Sequence, residues 1–407
     1  MGSGAVSCVI FATRWTTSDI FFHSFAKMSA PGTIDESIDI QEDRSDIFHP
    51  VYTVRYRQNS IGTIDSVSSV GSQKLPVIKI LGTGGTIAAK GALAIPQPGY
   101  HVDLTIEDLI ASVPDLSHTC ELEFEQVFNI DSKEITTKHL LHLRSKVQES
   151  IQHCDGVVIT HGTDTFEETA FFLDSTVDFM DKPVVMCGSM RPLTSVSADG
   201  PSNLYQACVV ASDKQSRGRG VLVTLNDKIG SGYYISKTDA NSLDTFKSLG
   251  HGYLGNFVAG EAHYYFPALK PSGLKNFQLP PLFSGSLPEV AIFYAHQNFN
   301  NDLIKLAVKH MHLKGIVMAT MGAGSLSDLT NEVLGEISSE NHLPVIYSKR
   351  STDGMIPISG LPKSDNHFLV ASGYLNPPKA RILLQLCLFE QMDIKQIRNV
   401  FAGVYGG

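Results

Sequence analysis

The chain has little of what would mark a nucleic-acid, membrane or metal protein. Its 32 Lys and Arg are outnumbered by 41 Asp and Glu, for a net charge of −9. Phosphate backbones need concentrated basic residues, and no basic stripe is present, so nucleic acid is excluded as a partner. No apolar run reaches the ~18–20 residues that cross a bilayer. The short "AVSCVIFA" stretch near the start is followed, not preceded, by its first arginine, Arg14, the reverse of a secretory leader. The six cysteines are far apart and form no C-x-x-C pair, which gives neither a zinc site nor a disulfide framework. No N-x-S/T sequon occurs. Together these features lean towards a reducing, cytoplasmic compartment.

Nucleotide loops are missing too. "ILGTGGTIAAKG", residues 80–91, begins like a dinucleotide fingerprint, but Ile87 stands where the third glycine belongs. Lys90 has no glycine before it and Gly91 after it, so the phosphate-loop pattern also fails. What remains is a glycine turn that can bring backbone N–H groups close to a small ligand.

Hydrophobic residues make up 43% and charged residues 18%, an ordinary globular balance, and 407 residues suggest two or three domains. Residues 1–74 show no sustained periodicity and carry the acidic polar run "TIDESIDIQEDRSD". They read as a largely disordered extension, with a docked strand possible near Val51–Tyr56. From residue 75 the texture changes. Short Val- and Ile-rich runs recur ("LPVIKILGTGG", "DGVVITHGTD", "KPVVMCGSMRP", "RGVLVTLND", "PEVAIFYAHQ", "KGIVMATMGAG", "LPVIYSKRS"), as strands buried on both faces do. Helical segments separate them. Thr165 with Glu168 reads as a capping box, and Pro201 suits a first helical turn. The alternation predicts an α/β fold with a mostly parallel, doubly wound sheet. Proline and glycine crowd residues 266–287, which read as a linker. The expected division is an N-terminal α/β catalytic domain at 75–265 and a smaller C-terminal α/β domain at 288–407.

Ligands of such sheets lie outside the carboxyl ends of the strands. The residues there are Thr83–Thr86, Thr160–Thr165, Gly188–Arg191 and Asn226–Asp227. Taken singly each has a plain reading: a tight turn for the glycines, a helix cap for Thr163–Asp164, a solvated surface lysine for Lys237, a satisfied polar group for His161. His139 and His142 lie three apart on a helix without a metal-ligating partner.

The combination reads differently. "GTGGTIA", "THGTDTFEET", "DKPVVMCGSMRPLTSVSADGPSNL", "SKTDANSLDTFKS" and "LNPPKARILLQL" resemble, in order, the motifs of the bacterial-type L-asparaginases, a family with fungal members. The resemblance runs from about Val77 to the C-terminus. It implies hydrolysis of asparagine, with side activity on glutamine, without metal or organic cofactor, in homotetramers whose sites lie between subunits. By resemblance Thr86 is the primary nucleophile and Tyr100 the lid tyrosine that activates it. Ser132 would hold the substrate α-carboxylate beside Lys133, and Asp164 the α-ammonium. Thr163, Asp164 and Lys237 resemble a second catalytic triad. Three positions depart from the pattern. Lys133 replaces an amide, Leu361 stands near where a neighbouring subunit lends a glutamate, and Ser325 replaces an asparagine.

The chemistry is coherent on its own terms. A threonine hydroxyl needs a base, and the oxyanion needs donors. A partly desolvated lysine or tyrosine could be the base, and N–H groups near Gly85 or Thr163 the donors. The competing readings are a glutaminase-leaning amidohydrolase, an amidotransferase subunit, and a non-catalytic amino-acid-binding protein of the same shape.

Overall fold

In the computed structural model the described residues are 54–56, 74–90, 101–113, 116–268, 275–280 and 285–403. The remainder of the expected N-terminal extension lies outside them.

The Val- and Ile-rich runs form the parallel centre of a nine-stranded sheet. In chain order its strands are β1 (Val54–Tyr56), β2 (Val77–Gly84), β3 (Glu121–Ile130), β4 (Gly156–Thr160), β5 (Val184–Cys187), β6 (Val221–Leu225), β7 (Lys228–Ser231), β8 (Gly255–Val258) and β9 (Glu261–Tyr264). Their spatial order is β1-β3-β2-β4-β5-β6-β7-β8-β9. β3, β2, β4, β5 and β6 are mutually parallel, while β1 and β7–β9 pair antiparallel at the two edges. β1 is the docked strand expected near Val51–Tyr56. It pairs Val54–Tyr56 with Phe124–Leu122.

Side chains alternate across the sheet, so neighbours in one strand serve opposite layers. Val157 and Ile159 of β4 pack on Leu143, Val147 and Ile151 of α2 (Thr137–His153) and Phe171 and Phe172 of α3 (Phe166–Thr176). Val158, between them, packs the other way, in the layer of Ile106 and Leu109 of α1 (Ile106–Ala111) and of Leu204, Ala207 and Cys208 of α4 (Gly200–Ser212). Burial on both faces is why these strands read as unbroken apolar runs. Pro201 does stand in the first turn of α4.

The second sheet is smaller and wholly parallel: β10 (Val290–Tyr294), β11 (Gly315–Thr320), β12 (Val345–Lys349) and β13 (Leu369–Ala371), in that spatial order. Helices Asp302–Met311 and Asp328–Asn341 cover one face through Ile304, Val333 and Leu334. The helix Pro377–Phe389, called the bridging helix below, covers the other together with Ile394–Ala402. Its Leu383 and Leu386 belong to the same buried cluster as Phe171 and Phe172 of α3, so one core runs from the large sheet into the small one. The described part of the proline-rich interval is packed too. Phe277 is fully buried, its N–H donates to the Ser175 carbonyl at 2.8 Å, and the Leu279 carbonyl accepts from Arg144 at 3.1 Å. No described helix is long and apolar enough to cross a membrane.

Candidate active site

Among the parallel strands the chain leaves β2 for β3 on one side and leaves β4 for β5 on the other. The crevice between the carboxyl ends of β2 and β4 is therefore the topological switch point, where such sheets bind ligands. The two strand ends are stitched together by the buried Thr83 hydroxyl, which donates to the Thr160 carbonyl at 2.7 Å.

Glycine allows the loops beyond them to touch. Gly84 and Gly85 have φ of 95° and 81°, which disfavours any side chain. A Cβ on Gly84 would lie 2.5 Å from the backbone of Ile130, and one on Gly85 would overlap Gly162. Gly162 in turn has no room for a Cβ, which would stand 2.6 Å from Ser132 Oγ and 3.0 Å from Gly85 Cα. Thr86 follows the first contact glycine and Thr163 the second, so two buried threonines are held on abutting loops.

Ser132 sits in a short 3₁₀ turn after β3, opened by Asp131. Its buried hydroxyl oxygen accepts from the Asp164 N–H at 3.2 Å, and its carbonyl accepts from the Thr165 hydroxyl at 2.9 Å. The second bond corrects the expected capping box. Thr165 is the N-cap of α3 but makes no side-chain cap bond, because its hydroxyl is spent on Ser132. Lys133 points outward, and its ammonium pairs with Asp131 at 3.1 Å.

Lys237 enters from a two-residue ribbon in which Ser236–Lys237 pairs with Phe246–Lys247. Its Nζ donates to Thr163 Oγ1 at 3.0 Å and to Asp164 Oδ1 at 2.7 Å, and its backbone N–H donates to Glu167 Oε2 at 3.1 Å. The ammonium is mostly sheltered, whereas the Asp164 side chain is 56% exposed and faces the open side of the crevice.

His161 is fully buried behind this loop. A carbonyl can only accept, so Nδ1 donates to the Gly162 carbonyl at 2.6 Å, and Nε2 accepts from the Thr169 hydroxyl at 2.9 Å. Burial pushes its pKa down to about 4, which keeps the ring neutral.

Of the residues expected to form a site, Thr86, Ser132, Thr163, Asp164 and Lys237 are brought to this crevice, with Lys133 at its rim. Tyr100 lies outside the described residues. Asn226 and Asp227, expected among the strand-end ligand groups, instead form the two-residue turn joining β6 to β7, with φ of 51° and 60°. His139 Nδ1 accepts from the Thr136 N–H at the start of α2. Leu361 and Ser325 lie in neighbouring loops of the second sheet, where a Cβ on Gly324 would stand 2.6 Å from the Gly360 carbonyl oxygen. His161 is the satisfied polar group of its plain reading. Sequence reasoning missed Glu167 as a support of the loop, because it acts through contacts distant in the chain. It also missed a Glu123–His153–Cys154 group, whose possible ligand atoms lie within 4.8 Å of one another at the far end of the sheet.

A hydroxyl within hydrogen-bond reach of a lysine amine, beside a carboxylate open to solvent, at the switch point of a doubly wound sheet, is the equipment of a hydrolase. The comparisons with known proteins agree. Residues 77–270 match the family "Asparaginase, N-terminal", and residues 289–401 match "Glutaminase/Asparaginase C-terminal domain". The chain belongs to the asparaginase family. It is 47% identical over 339 residues to L-asparaginase 2-3 of Saccharomyces cerevisiae, spanning 83% of this chain and 92% of that one. It is 40% identical over 347 residues to L-asparaginase 2 of Escherichia coli, spanning 85% and 98%. The crystal structure described as a probable cytoplasmic L-asparaginase from Campylobacter jejuni superposes with a TM-score of 0.75 at 39% identity. It covers 81% of this chain and all of that one.

Proposed function

We propose that Thr86, Thr163, Asp164 and Lys237 carry out the amide hydrolysis this chain performs, the conversion of L-asparagine to L-aspartate and ammonia. The observation that carries the reading is the Lys237 Nζ, 3.0 Å from the Thr163 hydroxyl and 2.7 Å from Asp164. Ser132 Oγ accepts from the Asp164 N–H and keeps its own proton to donate to the substrate α-carboxylate. Asp164 gives one carboxylate oxygen to Lys237 and has the other for the α-ammonium. Held at both ends of its amino-acid head, the substrate directs its amide into the crevice between the two threonines.

Thr86 is assigned as nucleophile and Tyr100 as the group that activates it. The hydroxyl oxygen attacks the amide carbon and its proton passes to the base. The tetrahedral oxyanion is held by backbone N–H groups of the glycine loops. The base returns that proton to the nitrogen, and collapse expels ammonia and leaves an aspartyl ester on threonine. Water, activated by the Thr163–Lys237 pair, then releases aspartate. Lys133 stands beside the carboxylate site and bears on the choice between asparagine and glutamine. The active form is assigned as a homotetramer acting in the cytoplasm, its catalytic domain at 75–265 and its second domain at 288–407. The five described cysteines, all buried free thiols, suit a reducing compartment.

The test is steady-state kinetics on both amides with Thr86→Val and Thr163→Val. Each substitution removes a hydroxyl at nearly constant volume and is expected to cost at least ~10³ in turnover, about 4 kcal/mol of barrier. Near-normal ammonia release by either variant would show that threonine to be structural.

A further inference from the structure

Behind the crevice, a second lysine in the wall between the two sheets has no part in the chemistry above. Lys379, on the bridging helix, is 2% exposed. Its Nζ donates to the carbonyls of Tyr233 at 2.6 Å and Ile235 at 2.5 Å, four and two residues before Lys237. Asn376, the N-cap of the same helix, gives its Nδ2 to Glu167 Oε1 at 3.1 Å and to Ser236 Oγ at 3.3 Å. The other oxygen of Glu167 accepts the Lys237 backbone N–H. The five residues that end at Lys237 are thus held by four hydrogen bonds, three of them from the second domain.

We propose that Lys379 and Asn376 are positioning residues for the hydrolysis. The second domain sets where Lys237 Nζ stands against the Thr163 hydroxyl, by gripping the strand that carries Lys237. The inference rests on the role given to Lys237 above.

Three observations favour this over a merely satisfied polar core. A buried ammonium is costly, and an apolar side chain at 379 would fill the same space among Phe171 and its neighbours at less cost. The amine's acceptors are carbonyls of one segment, the segment that bears the proposed base. Asn376 splits its amide between capping its own helix, through Oδ1 accepting from the Lys379 N–H, and holding Glu167. Charges also surround the ammonium. Burial lowers its pKa to about 8, Glu167 and Asp174 of α3 oppose that, and Lys349 of β12 adds to it.

The test is a pair of double-mutant cycles on L-asparagine hydrolysis with the full chain. Lys379→Met keeps length and removes the amine. Asn376→Asp keeps the helix cap, since a carboxylate still accepts from the Lys379 N–H, but loses the bond to Glu167 and sets two carboxylates together. Each is made in the wild-type chain and in Lys237→Met. In the wild-type chain kcat is expected to fall about 10- to 100-fold, as a misplaced catalytic group does, with KM changed less than about threefold. In Lys237→Met the same changes should cost less than about threefold further, because there is no amine left to misplace. The full factor persisting in Lys237→Met would overturn the proposal and leave Lys379 and Asn376 structural. Should Lys379→Met not fold, the Asn376→Asp cycle decides alone, since its cap is intact. If Lys237→Met itself turns over normally, it is the role of Lys237 that fails, an outcome visible before either cycle is closed.

Discussion

Gly85 and Gly162 meet through their bare Cα positions, and this contact sets Thr86 and Thr163 on facing loops. The two glycines differ in what surrounds them. At Gly85 the backbone conformation is left-handed and the obstacle is the Gly162 backbone, which cannot give way. At Gly162 the obstacles are Ser132 Oγ and Cβ, at 2.6 and 2.7 Å, and the Gly85 Cα at 3.0 Å, so a methyl there must push Ser132 aside. Gly85→Ala is therefore expected to lower stability by at least about 2 kcal/mol and abolish most turnover. Gly162→Ala should lower stability less than Gly85→Ala, since its φ is not in the left-handed region, and should raise KM for asparagine by displacing Ser132. Melting curves and kinetics of the two variants check this, and equal behaviour would refute the distinction.

Lys237 and Asp164 share a hydrogen bond but have separate duties in the proposed reaction. Lys237→Met should lower kcat sharply with a smaller effect on KM, since a proton-transfer role is felt in the transition state. Asp164→Asn should be worse in both, because it weakens the charged bond to the α-ammonium as well. An unaltered kcat in Lys237→Met would remove it from the mechanism.

His161 gives stability a defined pH dependence. Its folded pKa, about 4, lies below the ordinary 6.5, so the unfolded chain binds the extra proton first. The stability it contributes is complete above pH 6.5 and is lost as pH falls towards 4. Between pH 7 and 4.5 the loss is expected to be about 2–3 kcal/mol. Urea titrations at the two pH values, on the wild type and on His161→Gln, measure it. The variant should be less stable at pH 7 and should show a smaller drop. An equal drop in both would assign the acid sensitivity to other groups.

Truncation separates the N-terminal strand from the chain before it. Deleting residues 1–53 is expected to leave turnover unchanged, because that stretch shows no core pattern. Deleting 1–74 also removes β1 and bares the β3 edge at Leu122–Phe124. It should lower the melting temperature or promote association through the open edge. Light scattering and melting curves of the two truncations distinguish these outcomes, and a loss of activity in the first would show that residues 1–53 support the catalytic body.

Much was legible in the sequence because it is local. Val- and Ile-rich runs ending in glycine or threonine announce buried parallel strands. Their order, interrupted by helices, announces a doubly wound sheet whose ligands lie at the carboxyl ends. Motif identity brought Thr86, Ser132, Thr163, Asp164 and Lys237 into view as a set. Local rules misread Thr165 and the Asn226–Asp227 pair. A cap and a hairpin turn use the same small polar residues as a ligand site, and only the partner decides between them. The Thr165 hydroxyl was claimed by a carbonyl 33 residues away. Asn226–Asp227 closed a hairpin that the run of strands could not distinguish from a crossover. The placement of Lys237 is the extreme case. Its ammonium meets Thr163 and Asp164 more than 70 residues earlier, and its strand is held by Lys379 more than 140 residues later. Residue patterning along the chain determined that this protein would bury a mostly parallel sheet with a glycine-threonine crevice at its strand ends. Which amine stands at which hydroxyl was decided by the packing of the bridging helix against α3, because hydrogen bonds between distant segments exist only after the shared core has brought them together.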